Sequence, residues 1–265
     1  MIMKALGIDI GSLTTKVTIL ENGNMLSSVI VASGDEPEPA AREAIEKALT
    51  QAKLSSDNLY IVSTGIGSKS ISFSQQQKAI TTCQARGTSH LLPSVRMTID
   101  MGAESTTIIK LNQRGRVTDW ATQDKCAAGT GIFLQQMAKL MEMPLEEMAK
   151  LSLKAKSAAD ISSTCAVFAE SEVISHVHRD PPTPKEEIIA GIYLSVISRI
   201  MALCKRIGIE RDVAVTGGVA RNVGIVNTLE KEIGFKVMVP EKPQLAAALG
   251  AAILAQENIE RTLNK

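Results

Sequence analysis

The segment Asp9-Ile10-Gly11-Ser12-Leu13-Thr14-Thr15-Lys16 decides the fold, because a second copy follows as Asp100-Met101-Gly102-Ala103-Glu104-Ser105-Thr106-Thr107. In each copy an apolar strand ends in Asp-x-Gly, and a turn of small and hydroxyl residues leads into another strand. The aspartate and the glycine of one copy map onto those of the other at the same offset. A duplicated hairpin predicts two similar lobes with a cleft between them.

The two turns have the composition of a phosphate-binding site. Backbone N–H groups in such turns bind phosphate oxygens, and Lys16 adds a cation. An aspartate at a strand end suits hydrated Mg²⁺, which keeps several waters and takes one or two carboxylates. We therefore predict that Asp9 and Asp100 hold the water shell of a Mg²⁺ ion or orient an attacking water. Lys16 is predicted to neutralise charge on the phosphates.

Two further segments place a cysteine directly before a predicted helix. The first is Asp124-Lys125-Cys126-Ala127-Ala128-Gly129-Thr130-Gly131, and the second is Ser162-Ser163-Thr164-Cys165-Ala166-Val167-Phe168. The hydroxyl residues of the second segment are predicted to cap its helix. The positive end of a helix dipole favours a thiolate at both cysteines. Cys83 and Cys204 fall in amphipathic or apolar stretches and are interpreted as core thiols.

The C-terminal part of the chain adds two glycine motifs. A strand predicted at residues 212–215 ends in Thr216-Gly217-Gly218-Val219-Ala220-Arg221-Asn222, where adjacent glycines allow close approach of a flat ligand. Another strand is predicted at residues 235–239. Residues 246–252 predict an alanine-rich helix in which Gly250 lets another helix pack closely.

Composition excludes several classes of function. The chain has 265 residues, of which 45% are hydrophobic and 22% charged, as in globular proteins. A net charge of +1 and an aromatic content of 3% argue against a nucleic-acid surface. The longest strongly apolar run, residues 246–255, is about half of the ~20 residues that span a bilayer. We expect a cytoplasmic protein with no nucleic-acid or membrane partner, whose cysteines are free or ligating.

In their order along the chain, these motifs resemble those of the superfamily that contains actin, the sugar kinases and the chaperone ATPases. The resemblance assigns the two hairpins to phosphate 1 and phosphate 2, the Gly217-Gly218 segment to adenosine binding, and the alanine-glycine helix to the connection between lobes. It implies an α/β protein of the actin-like ATPase fold, with duplicated mixed β-sheets and helices around a nucleotide cleft. Lobe I would comprise residues 1–95 and 243–265, and lobe II residues 96–242.

The two cysteine segments are more specific, and they resemble the activator component of 2-hydroxyacyl-CoA dehydratases. This family is shared with the ATP-binding subunits of benzoyl-CoA reductase. The resemblance implies a homodimer that holds one 4Fe–4S cluster, hydrolyses ATP and passes a low-potential electron to a partner acyl-CoA dehydratase or reductase. Ferredoxin or flavodoxin is the implied donor of that electron.

The resemblance also assigns site residues by their positions in the motifs. Cys126 and Cys165 are the implied cluster ligands. Because such a cluster takes four cysteines, a second copy of the chain is expected to supply the other two. Asp9 and Asp100 are implied to bind Mg²⁺ through water, and Asp9, Lys16, Asp100 and Glu104 to be catalytic. The implied nucleotide-binding residues are Gly11, Ser12, Leu13, Thr14, Lys16, Gly102, Ala103, Glu104, Gly129, Thr130, Gly217, Gly218, Val219, Asn222 and Gln244.

One departure from the family leaves the partner open. Dehydratase activators usually carry Gly-Gly-Gln-Asp at the second turn, whereas this chain has Gly102-Ala103-Glu104-Ser105, a form closer to benzoyl-CoA reductase-type subunits. Two other functions are compatible with the glycine motifs. One is a small-molecule kinase of the sugar or acetate type without a cluster, and the other is a non-catalytic sensor of a nucleotide or metabolite.

Overall fold

A computed structural model of the chain describes residues 3–123 and 131–263. Within these ranges, strands and helices follow one another as in an α/β protein. The strands are β1 (Lys4–Ile10), β2 (Thr14–Glu21), β3 (Asn24–Ala32), β4 (Leu59–Thr64), β5 (Gln76–Gln77), β6 (Met97–Met101), β7 (Thr106–Leu111), β8 (Val117–Gln123) and β9 (Val213–Thr216). The α-helices are α1 (Pro37–Ala52), α2 (Ile80–Leu91), α3 (Gly131–Leu140), α4 (Leu145–Ser152), α5 (Ala166–Val177), α6 (Lys185–Ile207), α7 (Val223–Ile233) and α8 (Ala246–Leu263).

The first sheet is mixed and is covered on both faces. Its strand order is β3-β2-β1-β4-β5, and β1 pairs with β2 antiparallel and with β4 parallel. Leu6 and Ile8 of β1 pack in one apolar cluster with residues of α1, whereas Ala5 packs in another with residues of α8. Because both faces are buried, β1 is apolar almost without interruption instead of alternating.

Helices α2 and α8 pack closely in this region because each carries a glycine at the contact, Gly87 in α2 and Gly250 in α8. A Cβ on Gly250 of α8 would collide with the backbone carbonyl of Cys83 in α2. The prediction that Gly250 lets another helix approach is therefore confirmed. Cys83 is fully buried at this contact, as its interpretation as a core thiol requires.

The second sheet carries the other copy of the hairpin. Its strand order is β8-β7-β6-β9, and β6 pairs with β9 in parallel. The long helix α6 lies at the centre of the associated core, where Ile189, Tyr193 and Cys204 are fully buried. In the part of the chain that the structure describes, α6 is the one helix long and apolar enough to cross a membrane, but 67% of its apolar window is buried within the protein.

Packing divides the chain into two units. Unit 1 comprises residues 1–96, 109–118 and 240–265, and unit 2 comprises residues 97–108 and 119–239. Unit 1 contains the first sheet with α1, α2 and α8, and unit 2 contains α3 to α7 with β9. The lobe boundaries expected from the sequence, after residues 95 and 242, were assigned from the motifs and not from packing, and they stay a prediction.

The prediction of a strand at residues 235–239 is wrong. Only Met238 pairs with β9, through hydrogen bonds of 2.8 Å from the Val215 N–H and to the Val213 carbonyl. The neighbouring Val237 N–H donates to the Glu230 carboxylate of α7 at 3.1 Å instead of to a strand. This apolar run therefore forms a single β-bridge and no strand, because one of its N–H groups binds a helix side chain.

Candidate nucleotide and cluster site

Residues 11–13, named turn 1, connect β1 to β2. The Gly11 N–H donates to the Thr14 carbonyl at 3.1 Å and closes the turn. Among the described residues the backbone N–H groups of Ser12 and Leu13 have no acceptor, and the Leu13 side chain is 40% exposed. Turn 1 therefore presents two N–H groups that can bind an anion.

Asp9 and Lys16 form an ion pair beside turn 1. The two residues are paired across β1 and β2, and Lys16 Nζ lies 3.1 Å from Asp9 Oδ2. The Lys16 and Asp9 side chains are only 13% and 10% exposed, so each charge compensates the other where water is scarce. The ammonium also borders Gly11, where a Cβ would lie 3.0 Å from Nζ. The structure thus brings together the predicted phosphate cation, one predicted Mg²⁺ carboxylate and the turn.

Residues 102–104, named turn 2, lie in the connection between β6 and β7 and repeat the geometry of turn 1. The Gly102 N–H donates to the Ser105 carbonyl at 2.9 Å. The N–H groups of Ala103 and Glu104 have no acceptor within residues 3–123 and 131–263, and the Glu104 side chain is exposed. Thr107 occupies the position that Lys16 has in the first copy. The duplicated hairpin predicted from the sequence is therefore present, without the lysine in its second copy.

The duplication also includes the parallel strand beside each aspartate, a pairing that the sequence motifs did not predict. Asp9 is paired with Thr64 at the end of β4, and Asp100 with Thr216 at the end of β9. Thr216 Oγ1 donates to Asp100 Oδ1 at 2.9 Å and so orients this carboxylate. The signal in the sequence was a strand that ends in Thr-Gly, which occurs once in each half.

The glycine after each threonine lets a loop lie directly against the aspartate strand. Gly65 and Gly217 have φ angles of +89° and +85°, a region that favours glycine. A Cβ on Gly65 would lie 2.6 Å from Asp9 Oδ1, and one on Gly217 would collide with the backbone of Met101. Gly65 therefore joins the candidate site of unit 1, and Gly217 lies in that of unit 2.

Helix α3, which follows the Cys126 segment, begins on turn 2. The Gly131 N–H donates to the Gly102 carbonyl at 3.0 Å, and the Ile132 N–H donates to the Ala103 carbonyl at 2.9 Å. A Cβ on Gly131 would lie 3.2 Å from the Gly102 oxygen and 3.3 Å from Val219 Cγ2. The first turn of α3 therefore contacts both the phosphate-2 turn and the predicted adenosine segment.

The predicted adenosine segment forms a short 3₁₀ helix, Val219–Arg221, that leads into α7. Asn222 is the N-cap of α7, and its Oδ1 accepts from the N–H groups of Gly224 and Ile225 at 3.0 and 3.1 Å. Its Nδ2 donates to the Tyr193 hydroxyl at 2.9 Å. The Asn222 side chain thus has a structural role, and its contact with a nucleotide stays a prediction.

Cys165 stands at the start of α5, as predicted, but the predicted hydroxyl cap is wrong. Cys165 itself is the N-cap residue, while the Ser162 hydroxyl accepts from the Thr164 N–H at 3.1 Å within the preceding loop. The sulfur makes no cap hydrogen bond of ordinary geometry. The backbone N–H groups of Phe168 and Val167 nevertheless lie close enough to lower the pKa of the thiol, with the charge of Arg199 contributing less.

The loop before Cys165 is held from two sides. The Arg199 guanidinium of α6 donates to the Ser163 carbonyl, and the Glu172 carboxylate of α5 accepts from the Ser162 N–H. In contrast, burial raises the pKa of Cys83 and of Cys204 to about 12. Of the three cysteines in the described ranges, Cys165 alone combines a lowered pKa with partial exposure, which are features of a metal-ligating thiolate.

Some predicted site residues lie outside the described residues or in a different unit. Cys126, Gly129 and Thr130 are outside the described ranges. Gln244 lies in a short 3₁₀ helix, Pro243–Leu245, of unit 1, whereas Gly218 and Val219 lie in unit 2. Within residues 3–123 and 131–263 there is no group of three or more histidine, cysteine or acidic side chains that could hold a metal. Of the two predicted cluster ligands, Cys165 therefore lies within the described residues, and its surroundings fit a thiolate.

Comparison with known proteins identifies the family. Residues 6–255 match the sequence profile of the BadF/BadG/BcrA/BcrD ATPase family. The chain is 41% identical over 255 residues to the 2-hydroxyisocaproyl-CoA dehydratase activator of Clostridioides difficile, with 96% of this chain and 95% of the relative covered. It is 32% identical over 260 residues to one of the subunits of the benzoyl-CoA reductase of Thauera aromatica, with 93% of this chain and 91% of that relative covered.

Solved structures confirm the predicted fold. An activator of the 2-hydroxyisocaproyl-CoA dehydratase from Clostridium difficile with bound ADPNP superposes with a TM-score of 0.92 at 39% identity, covering 99% of this chain and 97% of that one. More distant structures, ROK-family sugar kinases among them, share the fold alone, with a TM-score of 0.55 at 14–15% identity. The actin-like ATPase fold and the resemblance indicated by the cysteine segments are both confirmed. The chain belongs to the BadF/BadG/BcrA/BcrD ATPase family.

Proposed function

We propose that this ATPase is an electron activator, in which ATP hydrolysis drives delivery of a low-potential electron to a partner acyl-CoA dehydratase or reductase. A 4Fe–4S cluster shared by a homodimer would be the one-electron carrier, with Cys126 and Cys165 of each copy as its ligands. The observation that carries the proposal is the start of α3 on turn 2. The helix that follows the Cys126 segment is hydrogen-bonded to a turn with two N–H groups available for phosphate.

The nucleotide side of the proposal assigns a role to each charged residue. Lys16 would exchange its ion pair with Asp9 for the phosphates of ATP, which frees the Asp9 carboxylate for the water shell of Mg²⁺. Asp100, oriented by Thr216, would hold that shell from the second turn or orient the attacking water. Stabilisation of phosphate charge by preorganised N–H groups and a cation is the main catalytic effect expected of such a site.

The coupling between the nucleotide and the cysteines would run through turn 2. Loss of the γ-phosphate changes what the N–H groups of Ala103 and Glu104 bind, and the carbonyls of the same turn hold Gly131 and Ile132. A small rearrangement of turn 2 would therefore move the start of α3. ATP can shift the equilibrium between two such arrangements only by binding one of them more tightly.

On the cysteine side, the start of α5 suits a ligand that carries negative charge. The N–H groups of Phe168 and Val167 favour the thiolate of Cys165, and Arg199 adds positive charge nearby. A helix N-terminus stabilises negative charge on a bound group for the same reason. These features support the assignment of Cys165 as a ligand in each copy of the homodimer.

The proposed partner is an acyl-CoA dehydratase or reductase, with ferredoxin or flavodoxin as electron donor in the cytoplasm. The relatives named above are a dehydratase activator and a component of a reductase. Over the whole chain the identity to the dehydratase activator, 41%, exceeds the 32% to the reductase component, although Ala103-Glu104 has the form associated with the reductase type. We favour a dehydratase as the partner, because the identity over the whole chain is higher to the dehydratase activator.

The experiment is an iron determination and an absorption spectrum of protein purified without oxygen. We expect a brown homodimer with about two irons per chain, because one cluster of four irons would be shared by two copies. Cys165→Ser and Cys126→Ser should each lose the iron. Cys83→Ser and Cys204→Ser are the matched controls, because both thiols are fully buried, and they should keep it.

Three results would contradict the proposal. About four irons in a monomer would exclude a shared cluster. Iron that survives Cys165→Ser would exclude this residue as a ligand. A colourless wild-type protein that phosphorylates an alcohol or a carboxylate would instead establish the kinase function that the glycine motifs alone allow.

A further inference from the structure

Ser33 is a buried polar residue behind turn 1 to which the motifs assign no role. It follows the last residue of β3 and is 5% exposed. Its N–H donates to the Leu13 carbonyl at 3.0 Å, and its Oγ donates to the Gly11 carbonyl at 2.6 Å. Two of the three residues of turn 1 are thus held by one serine.

A third contact extends this arrangement to β2. Ser33 Oγ lies 2.9 Å from Thr15 Oγ1, and Thr15 is fully buried. A hydroxyl group has a single proton, and that of Ser33 is directed to Gly11. Thr15 must therefore donate to Ser33, which completes a chain of hydrogen bonds from β2 through Ser33 to the backbone of turn 1.

The second hairpin shows that this carbonyl position is held in both copies. Gly102 is the counterpart of Gly11, and its carbonyl accepts from the Gly131 N–H at 3.0 Å. In turn 2 the donor belongs to a helix that starts there, whereas in turn 1 it is a side chain packed inside the first sheet. Turn 1 is therefore attached to its own sheet at the point where turn 2 is attached to α3.

We propose that Ser33 is a positioning residue for phosphate binding, because it fixes the Gly11 and Leu13 carbonyls and thereby the orientation of the N–H groups between them. This inference rests on the proposed function, in which turn 1 binds the phosphates of ATP. Without the hydroxyl, the Gly11 peptide can rotate and the N–H groups of Ser12 and Leu13 lose their fixed direction. Preorganised donors of this kind bind phosphate without a cost of ordering at the moment of binding.

The test compares Ser33→Ala with Ser27→Ala in the full-length homodimer. Ser27 is also a buried serine of this strand region, 4% exposed, and its hydroxyl donates to a backbone carbonyl, that of Ala48 in α1, at 2.9 Å. Ser27→Ala removes one buried side-chain hydrogen bond and Ser33→Ala removes two, so both variants should lower Tm, and Ser33→Ala should lower it more. The dissociation constants of ADP and of adenosine, each with Mg²⁺, are then measured by calorimetry for both variants and the wild type.

We expect Ser33→Ala to weaken ADP binding about three- to tenfold, the usual range for one lost hydrogen bond. Adenosine binding should be unchanged, because adenosine has no phosphate, and Ser27→Ala should bind both ligands as the wild type does. Should Ser33→Ala fail to fold, Thr15→Val removes the hydroxyl that donates to Ser33, and about a two- to threefold loss of ADP affinity is expected.

The contrary results separate the inference from the function on which it rests. Equal ADP affinity in Ser33→Ala and Ser27→Ala, or an equal loss of ADP and adenosine affinity in Ser33→Ala, would overturn the positioning role alone. A wild-type protein that binds ADP no more tightly than adenosine would overturn the phosphate assignment of turn 1, and the positioning role with it.

Discussion

Turn 1 and turn 2 have the same backbone and the same aspartate, but they differ in what holds them. The Gly11 carbonyl of turn 1 is bound by the hydroxyl of Ser33, which belongs to the same unit and is packed within it. The equivalent Gly102 carbonyl of turn 2 is bound by the first N–H of α3. The two copies of the hairpin are thus held differently, because one is fixed to its own sheet and the other is attached to the helix that follows the Cys126 segment in the sequence.

A second difference lies seven positions after each aspartate. The first copy has Lys16, which is paired with Asp9, and the second has Thr107, whose hydroxyl lies 3.0 Å from that of Thr122. The lysine therefore belongs to the hairpin whose turn is fixed by Ser33. The comparison suggests that turn 1 supplies phosphate affinity and that turn 2 supplies the aspartate for hydrolysis and the link to α3.

The largest effect is expected from Asp100→Asn in turn 2. Loss of this carboxylate should lower ATP turnover roughly 10²- to 10⁴-fold, the range for a group that positions or accepts a proton in the reaction. ADP affinity should stay close to that of the wild type, because affinity is assigned to turn 1. The measurement is steady-state phosphate release together with ADP titration.

Asp119→Asn is the control for this substitution, since Asp119 is an exposed carboxylate on β8. It should hydrolyse ATP at the wild-type rate. If Asp100→Asn also retained near wild-type turnover, the second Asp-x-Gly turn would be structural only.

The thiol at the start of α5 differs from the two buried thiols of the described residues, and alkylation of the metal-free protein measures that difference. The pKa of Cys83, in unit 1, is raised to about 12 by burial, whereas the backbone N–H groups of α5 lower the pKa of Cys165, in unit 2. The thiolate is the reactive form, so iodoacetamide should modify Cys165 at least ~100-fold faster than Cys83 at neutral pH. Cys204, whose pKa is also raised to about 12, should be as slow as Cys83.

The shifts in pKa also predict how pH affects the reactivity of Cys165 and the contribution of the two buried thiols to stability. Cys165 should keep reacting as the pH falls below the ordinary thiol pKa of ~8.5, until its own lower pKa is reached. At Cys83 and Cys204 the raised pKa favours the neutral thiol in the folded state, so this contribution to stability is lost as the pH rises from ~8.5 toward the folded value. Rapid modification of Cys83 in the folded protein would contradict the assignment.

A smaller effect is expected when turn 1 is made to resemble turn 2. Lys16→Thr removes the cation and should weaken ATP binding roughly 10- to 100-fold, as expected for loss of one hydrogen bond to a charged group. Adenosine affinity should hardly change. Lys4→Thr on the neighbouring strand β1 is the control and should bind ATP normally. An unchanged ATP affinity in Lys16→Thr would remove the distinction between the two turns.

Much of the fold was predictable because its signals are local. The strands around Asp9 and Asp100, the helix after Gly131 and the close helix contact at Gly250 all follow from short patterns that need no distant partner. The repeat itself strengthened the prediction, because the same turn occurs twice. The comparisons confirm the fold and the family that these motifs indicated.

The rest was not predictable because it depends on pairing between distant segments. Thr216 reaches Asp100 only because β6 and β9 are parallel neighbours, and no local pattern marks Ser33 as the partner of Gly11. The link from turn 2 to α3 is made by backbone atoms, which carry no residue signature. Asn222 caps α7, and its contact with a nucleotide stays a prediction.

Hydrogen exchange at single amides tests the central difference between the turns most directly. The Gly131 and Ile132 N–H groups donate to turn 2, and the Ser33 N–H donates to turn 1. With a non-hydrolysable ATP analogue in place of ADP, exchange at Gly131 and Ile132 should change by about threefold or more, because the opening free energy of these bonds depends on the state of turn 2. Exchange at Ser33 should stay the same in both states. Equal rates at Gly131 and Ile132 with the two nucleotides would contradict coupling through α3, and a matching change at Ser33 would contradict the fixed role of turn 1.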